Sequence, residues 1–139
     1  VLKIKPFSVD LYNTNDDAKK LVIQVLQSKG YKAWVNPDIY GIDIICQYAN
    51  DPYTYHEVEV KHNWKGESFP FPTIHFPLRK LKFANARSYF VMLNHERTHM
   101  LIIPGIQLLK SPVITKSTIY TDDEKFIEVK INAQFDKPC

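Results

Sequence analysis

Cysteine is scarce in this chain of 139 residues: there are only two, Cys46 and Cys139. One lies in an apolar run and the other is the last residue, which makes neither a disulfide framework nor a CxxC metal knuckle. A reducing compartment, the cytoplasm, is the expectation. Long hydrophobic runs are missing too. Met100-Leu101-Ile102-Ile103 is typical of the longest, far short of the roughly 20 apolar residues that span a bilayer, so no membrane association is expected. The start, Val1-Leu2-Lys3-Ile4-Lys5-Pro6, has no basic segment followed by an apolar one, and no secretory signal is expected. There is no repeat, no low-complexity tract and no linker long enough to separate domains. Charge of one sign is not in large excess: 18 Lys and Arg against 15 Asp and Glu give a formal +3, which permits a polyanion partner without requiring one.

What is present is ordinary globular composition, 45% hydrophobic, 13% aromatic and 24% charged, and a length that buries about 68–70% of the unfolded surface. A single domain over residues 1–139 is expected. From Asp16 to Lys29 the residues Ala18, Leu21, Val22, Val25 and Leu26 recur at helical spacing, and Gly30 closes the pattern. Thr14 and Asp17 read as a capping box before it. Three strands follow, Tyr31 to Val35, Ile42 to Gln47 and Thr54 to Lys61, separated by the turns Asn36-Pro37-Asp38 and Asn50-Asp51-Pro52. Pro70, Pro72 and Pro77 mark the main loop, and Pro77 opens a helix over Leu78 to Ala86. Two further strands, Tyr89 to Leu93 and His99 to Ile103, flank the turn Asn94-His95-Glu96-Arg97. Phe126 to Ile131 alternates apolar and charged residues and reads as an edge strand.

The chemistry concentrates in the third strand. In His56-Glu57-Val58-Glu59-Val60-Lys61 the period of two projects Glu57, Glu59 and Lys61 from one face while Val58 and Val60 enter the core. On the preceding strand Asp43 is a single acid among residues that want burial, and such an acid needs a reason. Paired with its neighbour, this strand brings Asp43 towards Glu59, and the mutual repulsion of two carboxylates is resolved by a cation. Hard oxygens without Cys or His suit Mg²⁺ or Mn²⁺. A lysine beside that ion fits phosphodiester hydrolysis, where it orients the nucleophile or stabilises the pentavalent state.

At Asp43, with 15 residues intervening before Glu59-Val60-Lys61, the sequence resembles the PD-(D/E)xK, or restriction-endonuclease-like, nuclease superfamily. The resemblance covers Asp16 to Leu93 and rests on layout and three residues. It implies an α/β fold with a restriction-endonuclease-like core (α-β-β-β-α-β), a central mixed sheet flanked by helices. It also implies Asp43, Glu59 and the Val60 carbonyl as metal ligands, with Lys61 as the catalytic lysine. Asp43 is preferred over Asp38 of Pro37-Asp38, because Ile44, Ile45 and Cys46 supply the buried continuation that the second core strand requires. An acid on the first helix facing the site would be Asp17, with Asp16 behind it. Glu57 reads as an acid on the exposed face or a group standing behind the ligands.

Between Lys61 and Arg87 six cations, among them Lys65, Arg79, Lys80 and Lys82, face the single acid Glu67. Beside paired carboxylates they would offset repulsion of a phosphate backbone and make binding salt-sensitive. Trp64, Phe69 and Phe71 either stack on unpaired bases or pack their loop onto the body. His95 and His99 have HxxxH spacing, but on a strand-turn-strand connection rather than a helix turn, so zinc is not favoured. His62 touches a phosphate or caps the strand end. The expectation is a metal-dependent nuclease cleaving DNA, structure-selective or weakly sequence-specific, for which a homodimer would let two sites address both strands. Non-catalytic alternatives are a nucleic-acid-binding module on the same scaffold and an interaction domain whose charged strand face is simply wet.

Overall fold

The computed structural model describes residues 2–3, 15–119 and 123–132. Helix α1, Asn15–Ser28, places Ala18, Leu21, Val22, Val25 and Leu26 on one buried face. It ends as a left-handed glycine dictates: Gly30, at φ 92°, donates to the Gln27 carbonyl, and Tyr31 donates to that of Leu26. This double closure satisfies carbonyls that the last turn would leave unpaired. Thr14 of the expected capping box lies outside the described residues, as does Cys139.

Strands β1 (Leu2–Lys3), β2 (Lys32–Val35), β3 (Ile44–Gln47), β4 (Thr54–Val60), β6 (Ser88–Leu93) and β7 (His99–Pro104) form one sheet in the order β1-β7-β6-β4-β3-β2. Every pairing is antiparallel except β4 with β6. That parallel pair requires a crossover. The crossover contains β5 (Thr73–Pro77) and a 3₁₀ helix, Leu78–Phe83. Helix α2 (Gly105–Leu109), β8 (Val113–Lys116) and β9 (Glu124–Lys130) complete the described chain, and β5, β9 and β8 make a second sheet with β9 in the middle.

The sheet is covered on both faces, which explains the unbroken apolar runs of β6 and β7. Val91, Leu93, Met100 and Ile102 pack with Ile44 and Cys46 under α1. Their alternates Phe90, Met92, Leu101 and Ile103 pack with Ile74 and Phe76 of β5, Leu108 of α2, and Ile127 and Val129 of β9. Half-buried Leu78 and Leu81 of the 3₁₀ helix join this second cluster. The central mixed sheet flanked by helices is therefore as expected.

Three expectations are corrected. The segment read as an edge strand, Phe126 to Ile131, is the centre of the second sheet, because β5 and β8 pair with it from both sides. The proline-marked loop holds β5, whose Ile74 and Phe76 face inward between prolines that stand outside or at the end of the ladder. The helix expected over Leu78 to Ala86 is a six-residue 3₁₀ helix, stopped where Ala84 turns extended (φ −83°, ψ 119°). Among the described residues no helix is long and apolar enough to cross a membrane.

Candidate active site

The site forms where one ladder stops and its neighbour continues. β4 stays paired with β6 as far as Val60 and Leu93, but its pairing with β3 ends at Ile44 and His56. Beyond that point the Asp43 side chain takes the place of a strand: Oδ2 accepts the Val58 N–H at 2.9 Å, and the Asp43 N–H donates to Glu57 Oε1 at 3.1 Å. The turn before it is fixed by its own side chains. Asn36 donates to the Ile42 carbonyl, and its amide oxygen accepts the Asp38 N–H; Asp38 in turn accepts the Tyr40 N–H. Asp38 is exposed and does the work of a turn residue, whereas Asp43 is carried to the sheet.

Asp43, Glu57 and Glu59 line one cleft of about 280 Å³, together with Lys19 of α1 and Lys80 of the 3₁₀ helix. Lys19 Nζ lies 3.1 Å from Asp43 Oδ1, and Lys80 Nζ lies 2.5 Å from Glu57 Oε2. Glu59 stands at the boundary with a second cavity of about 430 Å³, which it shares with Lys61. Lys61 Nζ lies 3.4 Å from Glu59 Oε1 and donates to the His75 carbonyl at 3.1 Å, 5.6 Å from the centre of the Phe76 ring. Its backbone N–H donates to Leu93, so the root of the side chain is held by the parallel ladder.

Glu57 is not the exposed-face acid that strand alternation allows; it is only 4% exposed. Burial pushes its carboxyl up to about 6, and neighbouring Asp43 pushes the same way, while Lys80 opposes them. A carboxyl with a raised folded-state pKa holds its proton where the unfolded chain has released it. Its contribution therefore falls as pH rises from 4.5 to about 6 and stays lost above, a change of about 2 kcal/mol. Glu57→Gln removes this dependence. Urea denaturation should show the variant gaining about 2 kcal/mol on the parent between roughly pH 4 and pH 7. A constant difference across that range would mean that Glu57 ionises as it does in the unfolded chain.

The other expected residues are distributed as follows. Asp43, Glu59 and Val60 share the cleft, with Lys61 adjoining it through Glu59. Val58 and Val60 are half-buried against the α1 cluster. The α1 residues lining the cleft are Ala18 and Lys19, not Asp17, so the helix brings a cation where an acid was expected. Lys19 was missed because a lysine on a half-exposed helix face reads as a solvated one. Lys80 is pinned to Glu57, while Lys65, Arg79 and Lys82 are exposed. Trp64 is fully buried and meets Phe69 edge-on, which removes it from any stacking role. His95 pairs with His62, Nδ1 to Nδ1 at 3.2 Å, whereas His99 is buried beside Thr98. The HxxxH residues do not converge.

Among the described residues no three His, Cys, Asp or Glu side chains gather as a metal-ligating group. The cleft offers instead the carboxylates of Asp43, Glu57 and Glu59, with Lys19 and Lys80 balancing charge on two of them. This donor set fits a hard divalent cation rather than a soft one.

No family model matches the chain, and no curated protein matches it. Among solved structures it is similar to Hjc, a Holliday junction resolvase from the archaeal hyperthermophile Archaeoglobus fulgidus, with a TM-score of 0.54. The match covers 85% of this chain and 84% of that one at 14% sequence identity. What it defines is the fold: mixed α/β and restriction-endonuclease-like, with a central mixed sheet flanked by helices.

Proposed function

We propose that this chain is a PD-(D/E)xK nuclease, a single nuclease-like unit over residues 1–139 that hydrolyses DNA phosphodiester bonds with Mg²⁺ or Mn²⁺. Its cutting is structure-selective or weakly sequence-specific. The observation that carries this reading is the opening of Asp43, just ahead of β3, and Glu59 of the neighbouring β4 into one cleft with Lys61 against Glu59. Asp43, Glu59 and the Val60 carbonyl would hold the ion, which when bound supplies Lewis-acid activation of water and screening of phosphate charge. Lys61, steadied by Glu59 and the His75 carbonyl, presents an ammonium to the nucleophile or to the charge that develops on the phosphorane oxygens. Exposed Lys65, Arg79 and Lys82 contact the phosphate backbone. Buried Glu57 and half-buried Lys80 form a pair that holds Asp43 from behind.

One observation favours a second reading. Lys19 and Lys80 already neutralise two of the three acids, as suits a non-catalytic nucleic-acid-binding module with no need of a metal. Incubation with supercoiled, linear, single-stranded and four-way-junction DNA in Mg²⁺, Mn²⁺ or chelator separates the two. The nuclease reading expects cutting only with metal, and faster on branched than on linear DNA. Salt-sensitive binding without cutting in any metal would overturn it in favour of the module.

A further inference from the structure

The second cavity, beyond Glu59, has a composition that phosphodiester hydrolysis alone does not call for. Its volume, about 430 Å³, falls within the usual small-ligand range of about 300–1,000 Å³. Phe69 and Phe71, meeting edge to face at 5.7 Å, line it from one loop, and Phe126 lines it from β9. Two ammonium groups reach it. Lys61 is tied to the His75 carbonyl, and Lys116 approaches the His75 ring, with Nζ 2.8 Å from Nδ1 and 4.5 Å from the centre of the Phe126 ring. An ammonium has only donors, so Nδ1 accepts and Nε2–H donates to Glu128 Oε2 at 2.9 Å. A histidine held by an acid on one side thus fixes a lysine on the other, and both cations flank one residue of β5.

Aromatic rings with cations close by suit a nucleotide: the base stacks and the phosphate is neutralised. Because Glu59 belongs to both cavities, a strand whose phosphodiester lies in the cleft has its adjoining nucleotide at this mouth. A base still paired in a duplex is not free to enter. We propose that the cavity receives one unpaired nucleotide of the strand being cut, with its base on the Phe69, Phe71 and Phe126 wall and its phosphate between Lys61 and Lys116. The feature the site reads is then an unpaired nucleotide. This rests on the nuclease reading for the word "cut", but its binding half is testable without cleavage.

The test uses a duplex with one bulged 2-aminopurine, the same duplex fully paired, and free deoxyadenosine monophosphate, all in chelator so that nothing is hydrolysed. The bulged duplex should bind more tightly than the paired one, with a saturable change in 2-aminopurine emission. Lys116→Ala and the fold-sparing Phe126→Leu should each weaken bulge binding, the latter within the roughly 5- to 150-fold that stacked bases lose on losing their aromatic partner. Equal binding of bulged and paired duplexes, or emission changes that neither variant alters, would overturn the proposal. Free mononucleotide binding as tightly as the bulge would also overturn it, marking a nucleotide pocket unconnected with a strand. If the protein cuts no DNA yet binds the bulge as described, the nuclease reading fails alone. If it cuts paired and bulged duplexes equally and binds them equally, the pocket fails alone.

Discussion

Lys61→Ala should slow single-turnover cleavage by about 10²–10³-fold, the loss typical of removing one preorganised donor from developing charge. β4 ends at Val60, but the Lys61 N–H still donates to Leu93, so the Cα is fixed by the sheet rather than by a loop. The ammonium is then placed by two acceptors, Glu59 and the His75 carbonyl, and lies 5.6 Å from the centre of the Phe76 ring. Little reorganisation is left to be done when charge appears on the phosphorane. Truncation removes a half-buried side chain whose partners keep other contacts or solvent, so the variant should fold and bind fully paired DNA with nearly the parent's affinity. Wild-type cleavage rates in Lys61→Ala would assign the ammonium a structural role. Loss of binding to fully paired DNA in step with loss of cleavage would do the same.

Much of the fold is legible in the sequence where contacts are local. The helical spacing of Ala18 to Leu26 and the glycine after it predict α1 to within one residue at each end. Turn residues separate β2, β3 and β4, and the apolar runs from Tyr89 and His99 mark β6 and β7. The second sheet is not legible in the same way, because its strands come from three distant segments and none carries a strong pattern alone. β5 is five residues framed by Pro70, Pro72 and Pro77, and β8 is four residues that are mostly exposed. Without them β9 has no visible partners and reads as an edge. The 3₁₀ helix differs from the expected α-helix for a related reason: after Pro77 the segment packs through Leu78 and Leu81, three apart, before Ala84 extends.

The same gap explains what was and was not legible in the candidate site. Asp43 stands out because it is an acid leading into Ile44, Ile45 and Cys46, and Glu59-Val60-Lys61 because of its alternation beside it. Both observations are local. The burial of Glu57 is not, since it comes from the 3₁₀ helix carrying Lys80 across a strand face that otherwise looks wet. Phe126 and Lys116, more than fifty residues beyond Lys61, reach its cavity only through the pairing of β5 with β9 and of β9 with β8.

Asp43→Asn tests whether Asp43 and Glu59 together grip a divalent ion. Asparagine keeps an oxygen able to accept the Val58 N–H, so the end of the β3–β4 ladder survives while the charge is lost. Removing a ligand should weaken metal binding by more than about 10–100-fold, the loss caused by changing even the outer partners of metal ligands. The direct measurement is a Mn²⁺ titration, with free ion counted by electron paramagnetic resonance, on the parent, Asp43→Asn and Glu59→Gln, with circular dichroism confirming that all three are folded. One Mn²⁺ retained per parent chain and lost in both variants is the predicted result. A parent that retains no Mn²⁺, or variants that bind it as the parent does, would contradict the account.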